Sequence, residues 1–314
     1  MSKLRVVFLG SPEFAVPTLA AVAARHEVIL AVAQPDKPAG RGMKVHAPAI
    51  KLAAEKLGIP VAQPKSARTE ELAAQLRALA PDVAVVVAYG KILPQAVLDI
   101  PRHGCLNVHG SLLPRYRGAA PIQWAVIRGE RETGITIMQL DAGMDTGPML
   151  LGRALPIGDD DTSGTLAPRL ATMGAELMID ALERLQAHTL QATPQDSAAA
   201  TMAPMLEKTT GHVDWTRPAR EVSCLIRGVD PWPGAFTELA GEAGSDVLKL
   251  WTPRVVEGRG VPGTVLGAEK AGLVVACGEG AVTIGELQLP GKKRLPAAAL
   301  LAGRAIPTGS KLGA

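Results

Sequence analysis

Two rhythms of hydrophobic residues alternate along the first 190 positions of the chain. Residues 4–10 form a short run rich in β-branched side chains, closed by Ser11-Pro12, and 14–24 follow with helical composition. Strand then helix is the opening expectation. The pattern recurs as a strand over 27–34, a helix over 49–57, a short strand over 60–63, a helix over 69–79 and a strand over 82–88. The unbroken apolar stretch 83–87 predicts burial on both faces, as in a parallel sheet. Further strands are expected at 104–108, 134–140 and 149–156, with a helix over 119–128 between the first two. Beyond Thr162 a long helix is expected, because Leu166, Leu170, Met173, Leu177 and Leu185 fall at near-helical spacing. The alternation predicts an α/β fold with a Rossmann-like, doubly wound and mostly parallel sheet.

After this the periodicity stops. Small, polar and proline-containing residues fill 191–210, which reads as a linker between a domain spanning 1–190 and a smaller one spanning 211–314. The second part offers a helix over 219–227 and short apolar segments at 247–251, 263–266, 273–277 and 281–289, separated by glycine-rich turns. That spacing predicts a small β-barrel or sandwich. A length of 314 residues fits two domains.

Composition narrows the class. With 47% hydrophobic and 20% charged residues, the chain can bury sizeable cores. Its 33 Lys+Arg against 30 Asp+Glu leave a net charge of +3, and 3% aromatic residues supply few stacking platforms, so a pure RNA-binding module is disfavoured. Cys105, Cys224 and Cys277 form neither a CxxC pair nor an even framework, which fits a reducing cytoplasm. Lys3 and Arg5 before an apolar stretch resemble a signal peptide, but Pro12 and Glu13 interrupt it. The longest apolar run, 83–89, is far short of the ~20 residues of a spanning helix, so no membrane segment is expected.

The chemistry concentrates at strand ends. On a strand over 104–108, Asn107 and His109 lie two residues apart and point to the same side at its carboxyl end. Asp145 lies in the glycine-bounded loop 141–147 after the next strand, so an amide, an imidazole and a carboxylate converge where open α/β sheets bind ligands. Each also has a structural reading: a turn former, a satisfied core histidine and an Asx-turn residue. His109 and Asp145 are too few ligands for zinc, and His103 points elsewhere, so no metal is expected. No serine stands in a GxSxG elbow, and Cys105 lies inside an apolar strand, which disfavours covalent catalysis by either residue type. Pro12 occupies the place where GxGxxG requires its second glycine, which disfavours a nicotinamide dehydrogenase.

The run Asn107-Val108-His109-Gly110-Ser111-Leu112-Leu113-Pro114-Arg115-Tyr116-Arg117-Gly118, continued to Trp124, resembles the signature of folate-dependent formyltransferases. So does Asp141-Ala142-Gly143-Met144-Asp145-Thr146-Gly147. The segment 34–44 resembles a loop of the branch that formylates methionyl-tRNA, and Val213-Asp214-Trp215 with the stretch 226–236 resembles that branch's second domain. Met205 departs from the pattern, standing where a lysine is common, as does Gly211-His212-Val213. The resemblance implies 10-formyltetrahydrofolate as co-substrate and initiator methionyl-tRNA as acceptor. It implies Asn107, His109 and Asp145 as catalytic residues, and Ser111, Leu112, Leu113 and Pro114 as the folate-contacting stretch. Arg41, Lys37 and Lys44 become tRNA contacts, and the second domain an OB-like barrel on the tRNA backbone. A bacterial cytoplasm and a monomer are the expected setting. Lys292-Lys293-Arg294 is the one basic cluster of the second domain, and a solvated hairpin end explains it equally well. Two rivals remain: another 10-formyltetrahydrofolate-dependent enzyme, such as one formylating an amino sugar nucleotide or hydrolysing the folate, and a non-catalytic tRNA binder on a degenerate scaffold.

Overall fold

Runs of valine, leucine and isoleucine too short for helices become the strands of a central sheet in the computed structural model, which describes residues 3–39, 44–241, 244–269 and 271–313. In chain order the first elements are β1 (Arg5–Gly10), α1 (Val16–Arg25), β2 (Glu27–Val32), β3 (Lys37–Ala39), β4 (Lys44–His46), α2 (Ala49–Lys56), β5 (Val61–Ala62) and α3 (Glu70–Leu79). There follow β6 (Val83–Val87), α4 (Gln95–Leu98), β7 (Cys105–His109), α5 (Pro121–Ile127), β8 (Glu132–Gln139), β9 (Met149–Pro156) and α6 (Ser163–Gln186).

The sheet runs in the order β5-β2-β1-β6-β7-β8-β9. β5 through β7 along that order are mutually parallel, whereas β8 is antiparallel to β7. Strand order reverses between β1 and β6, which makes that boundary the topological switch point. β6 is buried at all five positions, as its unbroken apolar sequence predicts. Val7, Leu9, Leu30, Val32, Leu72, Leu76, Ala84 and Val86 share one core with Tyr89 and Cys105. α3 begins where Thr69 accepts the Leu72 N–H and ends at Ala80, whose φ of 45° is left-handed.

Around the region 34–44, read as a surface loop, β3 pairs antiparallel with β4, Lys37 opposite His46 and Ala39 opposite Lys44. Strands of three residues are too short to show a periodicity that would distinguish them from a loop. Asp36 anchors its base, accepting from Lys51 Nζ at 2.8 Å and from Gln63 Nε2 at 2.6 Å.

The chain divides into two compact units. The second holds Met205–Ala314 together with Ile122–Glu132 and Ile157–Leu166. Its elements are α7 (Ala219–Gly228), β10 (Ala235–Gly241), β11 (Gly244–Val256), β12 (Val265–Glu269), β13 (Gly272–Ala276), β14 (Ala281–Gln288), β15 (Leu295–Pro296) and α8 (Ala297–Gly303). The antiparallel order is β10-β11-β14-β13-β12, with β15 on β14. Lys311 bridges Thr264 and Leu312 bridges Leu239, so the C-terminal segment joins the sheet's two edges. Trp215, Val222, Ile226, Leu248, Leu250, Val275 and Ile284 fill its core.

Two boundaries differ from the sequence reading. Residues 122–132 and 157–166 belong with α7: a Cβ on Gly228 would lie 2.4 Å from Ile127 Cγ1, and Arg227 Nη1 donates to Asp161 O at 2.7 Å. Residues up to Pro204 belong to the first unit, so most of the segment read as a linker is docked chain. An apolar face reads the same whichever core receives it, and a strip held by isolated backbone bonds needs no periodicity.

Candidate active site

β7 carries Asn107 and His109 on one side, two residues apart, beside β6 and β8: Asn107 pairs with Val86 and Met138, and His109 with Thr136. Both are buried, with 8% and 5% exposure. Among the described residues the Asn107 amide makes no hydrogen bond, so its donors remain for a ligand. His109 Nε2 lies 2.9 Å from Tyr116 O. A carbonyl only accepts, so Nε2 carries the hydrogen and Nδ1 is the ring position open to proton exchange. Nδ1 faces Asp145 Oδ2 at 3.7 Å, longer than a hydrogen bond.

Asp145 is delivered by the turn between β8 and β9. Asp141 Oδ1 accepts the Gly143 N–H at 3.0 Å, and both its oxygens accept from Thr146 Oγ1, at 2.8 and 2.9 Å. This Asx turn shapes the loop. Asp145 itself has a φ of 54°, a left-handed conformation that costs a non-glycine residue roughly 1–2 kcal/mol. Its Oδ2 accepts the Gly118 N–H at 2.8 Å. Gly118 has a φ of +119°, and a Cβ there would lie 2.7 Å from Ala203 O, so the donor position requires glycine. The structure thus brings the three predicted residues together and adds Tyr116 O and Gly118 N–H as the groups that orient them.

The stretch 111–114 turns directly out of β7. Ser111 Oγ donates to Arg115 O at 2.7 Å, Thr136 Oγ1 donates to Ser111 O at 2.7 Å, and Leu113 N–H donates to Thr136 Oγ1 at 3.1 Å. The Arg115 N–H takes Leu112 O at 3.2 Å. The Ser111 hydroxyl is therefore engaged within the chain. Among the described residues the Ser111 and Leu112 N–H groups and the Leu113 and Pro114 carbonyls are the stretch's remaining polar groups.

Residues 193–203, read from the sequence as part of a linker, lie along these loops. Thr193 and Met149 exchange backbone hydrogen bonds of 2.8 Å each. Thr201 Oγ1 accepts the Tyr116 N–H at 2.9 Å, and Ala203 N–H donates to Arg117 O at 2.7 Å. Gln195 Nε2 donates to Asp145 O at 2.8 Å and to Gly147 O at 2.7 Å, while its Oε1 accepts from Arg117 Nε at 3.0 Å. The one legible signal for this arrangement is Gly118, a glycine directly after the bulky Arg115-Tyr116-Arg117.

Of the predicted tRNA contacts, Lys37 is exposed on β3 and Lys44 lies on β4, while Arg41 falls outside the described residues. Burial, then the charge of Lys37, holds the Lys91 ammonium below its ordinary range. The Asp36 carboxyl is held low by its hydrogen bond from Gln63 and then by Lys51. In the second unit, Arg294 is committed to Glu286, with Nε at 3.1 Å, and to the Trp251 ring, 4.7 Å from its centroid. The Cys105 thiol is pushed up to about 12 by burial, which leaves it protonated and a poor nucleophile. Among the described residues no three His, Cys, Asp or Glu side chains gather to hold a metal ion, and no helix is long and apolar enough to cross a membrane.

Comparison with known proteins adds independent findings. Residues 4–182 match the family model "Formyl transferase" and 205–305 match "Formyl transferase, C-terminal domain". The chain is 50% identical over 314 residues to a methionyl-tRNA formyltransferase of Geobacter metallireducens, covering 100% of both chains. It is 49% identical to one of Acetivibrio thermocellus, covering 99% of this chain and 100% of that one. Among solved structures, HypX from Aquifex aeolicus in complex with tetrahydrofolic acid is 21% identical with a TM-score of 0.66, covering 97% of this chain and 48% of that one. An N-formyltransferase from Helicobacter canadensis, in complex with folinic acid and dTDP-3-aminofucose, is 17% identical with a TM-score of 0.66, covering 90% and 98%. At these identities the structural likeness speaks for the fold alone.

Proposed function

Because the chain belongs to the methionyl-tRNA formyltransferase family, we propose that Asn107, His109 and Asp145 are the residues with which it carries out that family's reaction. The protein transfers the formyl group of 10-formyltetrahydrofolate to the α-amine of methionyl-tRNA. An α-amine with a peptide-like pKa of about 7.7 to 8.0 is partly neutral at physiological pH, so the nucleophile needs little activation. The harder problem is the tetrahedral intermediate, where oxygen becomes negative and nitrogen positive.

Asn107 donates its side-chain N–H to the developing oxyanion, which its lack of an internal partner supports. Because His109 Nε2 is engaged by Tyr116 O, the imidazole acts through Nδ1, the atom facing Asp145. The Asp145–His109 pair takes the proton that the attacking amine sheds and returns it to the folate nitrogen as its bond to the formyl carbon breaks. Atoms balance: the amine loses one hydrogen, the folate gains it, and the formyl group moves. The Leu112 N–H and the Leu113 and Pro114 carbonyls offer donor and acceptor groups to the pterin edge, with Ser111 holding the turn. Lys37, Arg41 and Lys44 meet phosphates of the tRNA acceptor end. A single chain carries all three catalytic residues, which supports a monomer, and the bacterial relatives support a bacterial cytoplasm.

The observation that carries the site assignment is the unpartnered Asn107 amide beside the Asp145–His109 contact at the end of β7. The test incubates purified protein with 10-formyltetrahydrofolate and either initiator Met-tRNA, elongator Met-tRNA or an amino sugar nucleotide. Formyl transfer to initiator Met-tRNA is expected. Transfer confined to the sugar, or release of formate alone, would overturn the reading.

A further inference from the structure

The proposed chemistry depends on where the Asp145 carboxylate stands, yet Asp145 sits on a loop, in a backbone conformation that residues other than glycine seldom adopt. Something outside the loop must hold it. From the structure we infer that Gln195 is a positioning residue for Asp145, with Arg117 as its anchor; the inference rests on the active-site reading above.

Three observations carry it. Gln195 Nε2 donates to the carbonyls of both Asp145 and Gly147, which pins the loop backbone at Asp145 and immediately after it. The amide cannot turn over, because Arg117 Nε, which only donates, occupies Oε1 at 3.0 Å. The bonds also close a ring. Arg117 adjoins Gly118, whose N–H holds Asp145 Oδ2, so the backbone and the carboxylate of Asp145 are fixed from one continuous support.

That support is rigid. Arg117 is 8% exposed, its N–H donates to Thr201 O at 2.8 Å and its carbonyl accepts from Ala203 N–H at 2.7 Å. Among the described residues no carboxylate lies within ion-pair distance of its guanidinium, and its Nη2 is buried without a partner. A lone buried guanidinium is an expensive way to fill space, since a desolvated charge without a counter-ion is unfavourable. Among the described residues its side-chain hydrogen bond goes to Gln195, the residue that braces Asp145.

Gln195→Glu is the informative substitution: it keeps size and the acceptor for Arg117 but replaces the donor with an oxygen facing two carbonyls. Turnover should fall roughly 10- to 100-fold, the range expected for a small displacement of a reacting group. KM for 10-formyltetrahydrofolate and for Met-tRNA should stay within about twofold, since neither substrate is held by Gln195. The pH profile of kcat should change shape, which a purely structural loss of folded protein cannot produce. In the Asp145→Asn background the same substitution should cost little further, because its target is already gone. If Gln195→Glu fails to fold by circular dichroism, Gln195→Asn, shorter by one methylene, replaces it and should show the same kcat loss. Wild-type kcat in a folded Gln195 variant, or a fully multiplicative loss with Asp145→Asn, overturns the inference while leaving the site reading intact. Wild-type turnover in Asp145→Asn itself would instead bring down the site reading, and this inference with it.

Discussion

Asn107 and His109 share one side of β7 because residues two apart on a strand always do, and their burial makes the unengaged amide of Asn107 the informative one. Its amide has no partner among the described residues, and a group left free in this way beside the proposed acid–base pair fits a donor kept for charge that appears only during reaction. Asn107→Ala should lower kcat by roughly 10² to 10³ with little change in KM, the loss typical of one preorganised oxyanion donor. Steady-state kinetics on the folded variant checks this, and near wild-type turnover would remove Asn107 from the mechanism. His109 illustrates what a sequence motif leaves open. Its place in the motif is legible, but which nitrogen carries the hydrogen is decided by Tyr116 O, on a residue whose φ of 62° is left-handed.

At the scale of elements, the buried strands and the long helix were the most legible, since β6 is an unbroken apolar run and α6 carries leucines at near-helical spacing. Short elements such as the β3–β4 pair, β10 and α8 were not: β3 and β4 have three residues each, and α8, although rich in helix-forming alanine and leucine, is only seven residues long, too short to show a helical period. The end of α1 supplies a prediction. His26 caps it, buried, with Nδ1 taking the Leu4 N–H at 3.4 Å and Nε2 unpartnered among the described residues. Burial first, then the charge of Arg25, holds its imidazole below the ordinary range. Above about pH 6.5 both folded and unfolded forms carry it neutral, so it contributes no pH dependence there. As pH falls below that value the unfolded chain takes up a proton that the native protein refuses, so stability drops until the lower folded value is passed. Urea midpoints should therefore fall more between pH 7 and pH 5 in the wild type than in His26→Gln. Equal falls would show that His26 is not the group responsible.

For the whole molecule, the charge balance sets a limit on how RNA is recognised. Residues 1–190 hold 20 basic against 18 acidic groups and the remainder 13 against 12, so neither part attracts phosphate by bulk charge. Recognition then rests on a few placed cations, and neutralising any one of them should have a measurable effect by itself. Arg41→Ala should raise KM for Met-tRNA, leave folate affinity unchanged, and flatten the logarithmic salt dependence of tRNA binding by about 0.7 to 0.9. A selective loss of folate affinity in that variant would refute its assignment to tRNA. The sequence by itself determined the α/β alternation, the position of Asn107, His109 and Asp145 at strand ends, and the family, because periodicity and motif are local properties of the chain. Only the tertiary structure decided that residues 193–203 belong to the first unit, that Gly118 and Gln195 hold Asp145, and that 122–132 and 157–166 join the second core. Those outcomes depend on backbone carbonyls and N–H groups finding partners far away along the chain, and every residue other than proline carries the same two groups, so no side-chain pattern announces which of them will pair.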